Sequence, residues 1–354
     1  MSYMGTKARL AEQIADAIDS AQPGPVLDAF SGMCSVGAAL VGRRQIWNND
    51  IQSFSSEIAT AIFTSTEPVI SSINIAEHLY QDYIRNKVAL ENRFKRMLLK
   101  ENKCLESSDH KALSQFFCSS KNISNYYKLR REGKELSLRP KSFPYRLATI
   151  TFSVGYFSLR QCIEIDSIRY AADRALEKKQ VSDQMHRWIN VALCVACKRI
   201  ANTTGHFAQY LWPSSSNFSR IRRQYQRSAW DELSTVLSQI SPIGTTSWRQ
   251  GNYVTNKESI KLLEKMKHHP IQPSVIYADP PYTTDHYSRY YHVLETLIHY
   301  DYPIAIGKGR YRPDRFATPF SIKSKVVDAF SQFAKNVAKY GSELRAPRKM
   351  TRLA

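Results

Sequence analysis

The sequence lacks the features that would place it in several large classes of protein. No stretch of about 18 apolar residues occurs, the minimum for a membrane-spanning helix. Met1-Ser2-Tyr3-Met4-Gly5-Thr6-Lys7 has none of the apolar core of a signal peptide. Both absences predict a cytoplasmic protein with no membrane partner. Cysteine is sparse: six in 354 residues make no disulfide framework and suit a reducing compartment. Cys194 and Cys197 form one CxxC inside an apolar helical stretch. No second Cys or His pair follows at zinc-site spacing, so they read as core and no metal is expected. There is no GxGxxG fingerprint, internal repeat or low-complexity tract. Acidic residues are also short, with 31 Asp and Glu against 50 Lys and Arg, a formal charge of +19. That imbalance points to a polyanionic partner, although charge governs encounter with phosphate and not chemistry.

What is present begins as an α/β pattern. Arg9 to Ser20 carries Leu10, Ile14 and Ile18 at helical spacing and is stopped by Pro23-Gly24-Pro25. Val26 to Phe30 reads as a strand, Ser31 to Gly37 as a glycine-bearing turn, and Ala38 to Val41 as the start of a helix. Such a turn lies at the carboxyl end of a strand, where glycine lets backbone approach a nucleotide closely. A nucleotide site and an ordinary βα turn both fit it. Gln45 to Asp50 reads as a second strand ending in an acid roughly 20 residues past the first, the spacing of a ribose ligand. Asp50 is then either the acceptor for two sugar hydroxyls or a helix N-cap.

From residue 60 to 235 the character changes to helical patterns with basic clusters and many tyrosines. Lys121, Lys128, Arg130, Arg131, Lys134, Arg139 and Lys141 fall in one stretch, and Arg220, Arg222, Arg223 and Arg227 in another, with Tyr126, Tyr127, Phe143, Tyr145 and Tyr225 interleaved. Two such runs in one insert favour a nucleic-acid surface over solvated helix faces. The α/β pattern then resumes, with Thr245 to Tyr253 read as a strand, Lys257 to His268 as a helix and Ser274 to Ala278 as a buried strand.

That last strand runs into Asp279-Pro280-Pro281-Tyr282. Two prolines cannot continue a sheet ladder, so they force a rigid turn at the edge where doubly wound folds bind ligands. A turn without N–H groups presents acceptors and no competing donors. The Asp279 side chain and the Pro280 carbonyl can therefore hold the two hydrogens of an aromatic amine such as adenine N6, while Tyr282 offers a flat face to a base flipped from its duplex.

In the order of these motifs the chain resembles the Dam-like, D12-class adenine-N6 DNA methyltransferases over most of its length. Tyr3-Met4-Gly5-Thr6-Lys7 matches the family's aromatic-x-Gly-x-Lys segment, and Asp28-Ala29-Phe30-Ser31-Gly32 its Asp-x-Phe-x-Gly pattern. The resemblance implies a Rossmann-like S-adenosyl-L-methionine-dependent methyltransferase sheet, with an inserted, mainly helical target-recognition domain. It implies catalytic roles for Asp279, Pro280 and Tyr282, and cofactor binding by Tyr3, Lys7, Asp28, Phe30, Gly32, Asp50 and Asp279. Double-stranded DNA is the implied partner, in a restriction-modification or DNA-marking setting with a cognate restriction endonuclease. Gly155 to Gln161 and Gly205 to Tyr210 are similar to segments of the larger, restriction-associated members.

These readings divide the chain into a catalytic domain of residues 1–59 and 236–344, an insert of 60–235 and a basic tail of 345–354. Ile322 to Tyr340 reads as a helix leading to a strand that barely begins at Gly341 to Leu344, so the sheet's C-terminal strands are expected to be missing. A catalytically weak, truncated relic that only binds DNA is the rival reading. A nicotinamide oxidoreductase on a similar sheet explains neither the prolines nor the charge.

Overall fold

Val26–Asp28 forms strand β1, Ile46–Asn49 β2, Tyr253–Thr255 β3, Val275–Tyr277 β4 and Glu343–Arg345 β5. They lie in the order β3-β2-β1-β4-β5, each pair of neighbours parallel. The structure, a computed structural model, describes residues 7–67, 72–107, 109–122, 124–266, 271–281, 287–316, 318–340 and 343–345.

Register explains why the strands read as unbroken apolar runs. Val26 stands opposite Ile46 and Val275, while Leu27 stands opposite Trp47 and Ile276. Side chains alternate along a strand, so these rows face opposite sides of the sheet. The first packs with Ile18, Leu40 and Phe63, from the helical segments preceding β1, following β1 and following β2. The second packs with Leu262 and Leu263 of helix Ser259–Met266 and with Phe330, Phe333 and Val337 of helix Val326–Ala338. A parallel sheet needs crossover connections, and helices on both faces bury its central strands β1, β2 and β4. This is the expected doubly wound α/β architecture.

The chain falls into two units. One, Met1–Pro68 with Ser241–Ser288 and Phe316–Ala354, holds all five strands; the other is Val69–Ile240 with Arg289–Arg315. The second has no strand among its described residues, and its longest helices are Ser72–Glu106, Leu159–Glu177 and Asp183–Ile200. The return segment was not separable by periodicity. It folds with the helices because Tyr300 donates to buried Asp166 at 2.7 Å and Arg310 donates to the carbonyls of Thr151, Ser153 and Val154. Cys194 and Cys197 are buried on helix Asp183–Ile200, as their spacing indicated. No described helix is long and apolar enough to cross a membrane.

One reading needs correction. Thr245 to Tyr253 is not a strand: the Thr245 hydroxyl accepts from Trp248 N–H at 3.2 Å and caps a short helix, Thr246–Gln250, before β3 begins at Tyr253. The strand begun at Gly341 to Leu344 is β5, whose Glu343, Leu344 and Arg345 pair with Val275, Ile276 and Tyr277. The basic tail from residue 346 onward lies outside the described residues.

One side-chain amide makes four hydrogen bonds across the carboxyl edge of the sheet. Asn49 Nδ2 donates to the carbonyls of Ala29 at 3.1 Å and Lys257 at 3.0 Å, and its Oδ1 accepts from Thr255 Oγ1 at 2.7 Å and Lys257 N–H at 3.2 Å. The loops after β1 and β3 are thus fastened to the end of β2. Asn49→Ala should cost on the order of 3–5 kcal/mol, because several buried partners lose their bond at about 1–3 kcal/mol each. Urea unfolding measures this, and a loss below about 1 kcal/mol would show that the loops hold without the tie.

Candidate active site

The strand order reverses direction between β1 and β4, which opens a crevice at their carboxyl ends. Asp28 ends β1 and is 2% exposed. The chain then turns through Gly32, at φ 50°, and Cys34, at φ 59°, into helix Ser35–Ala39. Glycine meets the positive torsion without strain, and its N–H donates to Asp50 Oδ2 at 2.8 Å. The other Asp50 oxygen accepts from Gln52 N–H at 2.8 Å, in a turn just ahead of helix Ser53–Thr64.

On the β4 side the ladder stops at Ala278, whose N–H donates to the Arg345 carbonyl at 2.9 Å. Pro280 and Pro281 follow and cannot extend it. Asp279 sits at this break, its Oδ2 2.6 Å from Lys7 Nζ, with the two side chains 11% and 22% exposed.

These groups line one cleft, which holds about 1060 Å³ of space unoccupied by protein atoms, part of it open to solvent. Lys7, Asp28, Phe30, Gly32, Asp50, Asp279 and Pro280 all border it. Tyr3 and Tyr282 lie outside the described residues. Phe30 also packs on Phe320 and Phe333, with ring centroids 5.2 Å and 5.8 Å away, so the cleft wall and the sheet core share a residue.

Other lining residues had no sequence signal of their own. Lys257, Glu258 and Ser259 enter from the loop after β3, and their place at the carboxyl edge follows only once β3 is correctly assigned. Tyr287, Thr318 and Ser321 come from segments with no recognisable motif.

Burial drives the Asp28 carboxyl up from its ordinary 3.8 to about 8, against the hydrogen bond it accepts from Phe30 N–H, and the charges of Asp279 and Asp50 add to the rise. At neutral pH it is mostly a neutral acid, able to donate as well as accept.

The aromatics read alongside the basic runs are partly core. Tyr145 and Tyr225 are 2% and 1% exposed, the first donating to Asp173 and the second to the Gly155 carbonyl. Arg227 is held by Glu232 and the Arg199 carbonyl. Arg131, Lys134 and Arg223 are exposed, whereas the side chains of Lys121, Tyr126, Tyr127, Lys128 and Arg130 lie outside those described. The Gly155 to Gln161 segment is structural: Ser158 and Gln161 form a capping box at the start of helix Leu159–Glu177.

A family model of D12 class N6 adenine-specific DNA methyltransferases matches residues 3–346. Among curated proteins, the modification methylase LlaI of Lactococcus lactis subsp. lactis is 22% identical over 95% of this chain and 44% of its own length. The type II methyltransferase M.FokI of Planomicrobium okeanokoites is 22% identical over 88% of this chain and 39% of its own. The modification methylase StsI of Streptococcus sanguinis is 20% identical over 95% and 42%. The chain therefore spans less than half the length of these relatives. No solved structure matches it.

A raised folded-state value means that Asp28 keeps a proton on folding that the unfolded chain releases. Its stabilisation is complete below about pH 3.8 and is lost as pH rises through about 8. Asp28→Asn should therefore gain stability relative to the native chain between about pH 5 and about pH 8, with the gap levelling off above that. Melting temperatures across this range test it; a gap independent of pH would mean that Asp28 does not titrate there.

Proposed function

Because the chain belongs to the D12 class N6 adenine-specific DNA methyltransferases, we propose that it transfers a methyl group from S-adenosyl-L-methionine to N6 of an adenine in double-stranded DNA. The observation that carries this reading is the meeting of Asp279 and Pro280 with Asp28, Gly32 and Asp50 around one cleft at the switch point of the sheet.

The lining fits such a cofactor. Asp50, Glu258 and Asp279 border the cleft with Lys7 and Lys257, beside a protonated Asp28 whose ionisation a cation would favour, so the lining suits a ligand carrying positive charge. Asp50 suits a pair of ribose hydroxyls, Phe30 supplies an apolar wall, and Gly32 permits close backbone approach. When bound, S-adenosyl-L-methionine supplies a methyl group on a positively charged sulfur.

The protein's own part is to prepare the amine. Adenine N6 is a weak nucleophile because its lone pair is delocalised into the ring. Asp279 and the Pro280 carbonyl accept hydrogen bonds from its two N–H groups and turn the lone pair towards the methyl donor, and the fixed proline torsions spare them reorganisation. The proton that the methylated amine sheds leaves by way of the Asp279 carboxylate to solvent. Lys7 holds the Asp279 carboxylate beside the turn. Tyr282 stacks on the base after it leaves the duplex, offsetting part of the few kcal/mol that flipping costs.

The helical unit, with its exposed basic residues, serves as the target-recognition domain, and the net charge of +19 favours contact with the phosphate backbone. A restriction-modification setting in the cytoplasm, with a cognate endonuclease as partner, completes the proposal, and the likeness to proteins named as modification methylases supports it.

Incubating the chain with methyl-labelled cofactor and unmethylated duplex, then identifying the modified base, tests the proposal directly. Asp279→Ala should reduce transfer by at least about 100-fold, as loss of one prepared polar contact to a reacting group does. Calorimetry should still detect cofactor binding. Full activity in this variant would remove Asp279 from the chemistry, and no labelled N6-methyladenine with the native chain would overturn the proposed function.

A further inference from the structure

Helix Phe218–Gln226 of the helical unit is fixed along its inner face and at both ends. Phe218, Ile221 and Tyr225, at spacings of three and four, are buried with Leu105, Leu113, Phe116 and Phe117. The Tyr225 hydroxyl donates to the Gly155 carbonyl at 2.9 Å. At the last turn the carbonyls of Gln224 and Gln226 accept from Gln161 Nε2 and Arg160 Nη2, each at 2.7 Å. Ahead of the first turn the Asn217 side chain accepts from Ser214 N–H and donates to the Trp212 carbonyl, both at 2.9 Å.

The outward face carries no such ties. With about 3.6 residues per turn, Ser219, Arg223 and Gln226 stand in one stripe that points away from the buried side chains. All three are exposed. Among the described residues none of them makes a hydrogen bond or ion pair through its side chain, and neither does Arg222 on the flank.

An ordinary solvated helix face is the alternative, and other helices of the unit show its character. Lys87 pairs with Glu91, Arg131 with Glu135 and Arg174 with Glu177, each along its own helix. Helix Phe218–Gln226 has three arginines and no acid. Arg220 uses one nitrogen on the Thr203 carbonyl, and Glu232 is taken by Arg227, just past the helix. The arginines of the outward face and flank are thus held in place without being neutralised, which suits an anionic partner.

We propose that this helix enters the major groove of the DNA substrate, where Ser219, Arg223 and Gln226 read base edges and Arg222 contacts a backbone phosphate. This rests on the proposed function and deepens it by naming the residues that choose the target. The stripe has the chemistry of base readout. An arginine fork matches the O6 and N7 acceptors of guanine, a glutamine amide matches the N7 acceptor and N6 donor of adenine, and serine takes either role. The major groove, about 12 Å wide, admits one helix, and residues seven apart on it span roughly 10 Å, the rise of about three base pairs. The fixed inner face and ends keep the three readers in register.

The test incubates the full chain with S-adenosyl-L-methionine and duplexes of random sequence, and reads the sequence around each N6-methyladenine; a second pool is selected by binding alone. Arg223→Ala and Gln226→Ala should each relax the preference at one base pair by about 10- to 100-fold and leave the melting temperature unchanged. Arg222→Ala should weaken binding to every duplex alike, with a slope of log affinity against log salt shallower by about 0.9. Identical preferences in the native, Arg223→Ala and Gln226→Ala chains, or a loss spread evenly over all sequences, would overturn the reading helix. If the native chain methylates adenine and those preferences do not move, the inference fails alone. If it methylates nothing but selects a sequence by binding, and Arg223→Ala relaxes that preference, the proposed function fails and the helix stands. If it neither methylates nor selects, both fail.

Discussion

The side-chain amide of Asn49 is the constraint on which the carboxyl edge of the sheet depends. β1, β2 and β3 are each only three or four residues long, and just a few backbone bonds, such as Ser31 N–H to the Asn49 carbonyl, reach the loops beyond them. The Asn49 side chain adds to these by using both donors and its acceptor on Ala29, Lys257 and Thr255. Its neighbour Asp50 extends the same logic by binding Gly32 N–H. No residue other than asparagine or glutamine offers two donors and an acceptor in one plane, and glutamine's longer stem would push them out of register. An amide, not a catalytic acid, therefore sets where Asp28 and Asp50 stand.

Once the loops are fixed, their charges become a problem that a ligand can solve. Asp28, Asp50 and Asp279 are close enough to interact, and burial makes Asp28 retain its proton. Lys7 offsets Asp279. A cation entering the cleft would favour ionised Asp28 and strengthen its own binding in turn, since each pKa unit is worth about 1.36 kcal/mol of differential interaction. The cleft is thus poised towards positively charged ligands by geometry that the unliganded protein must hold at some electrostatic cost. Consistency between local sequence and fold is expected to break at functional sites, and the acids at the ends of β1 and β2 and just beyond β4 are such a place.

How much of this was legible in the sequence varied with the kind of signal. β1, β2 and β4 are buried on both faces and so announce themselves as apolar runs, and Asp279-Pro280-Pro281 marks its own turn because proline cannot extend a ladder. β3 was misplaced since its residues are more exposed, and the apolar Trp248 before it belongs to a capped helix. Tyr145 and Tyr225 look like surface aromatics in a basic context but are buried, because a tyrosine with a partner for its hydroxyl is as good a core residue as phenylalanine. The return of Arg289–Arg315 to the helical unit had no local signature, since it depends on contacts separated by more than a hundred residues.

The same distinction applies to the charge. A net charge of +19 describes the far field of the molecule but not its binding sites, because many of the cations serve as struts. Arg44 donates to the carbonyls of Gly24, Ile18 and Gln22. Arg249 donates to those of Ser65 and Gly244, and Arg169 to that of Leu297 as well as to Asp173. In each case the planar guanidinium gathers several acceptors at once, a task the single ammonium of lysine performs poorly. Sorting arginines by what the fold gives them among the described residues, carbonyls, carboxylates or a ring face, is therefore more informative than counting them. It separates Arg310 and Arg312 from Arg315 within six residues of one another, where composition and clustering treat all three alike.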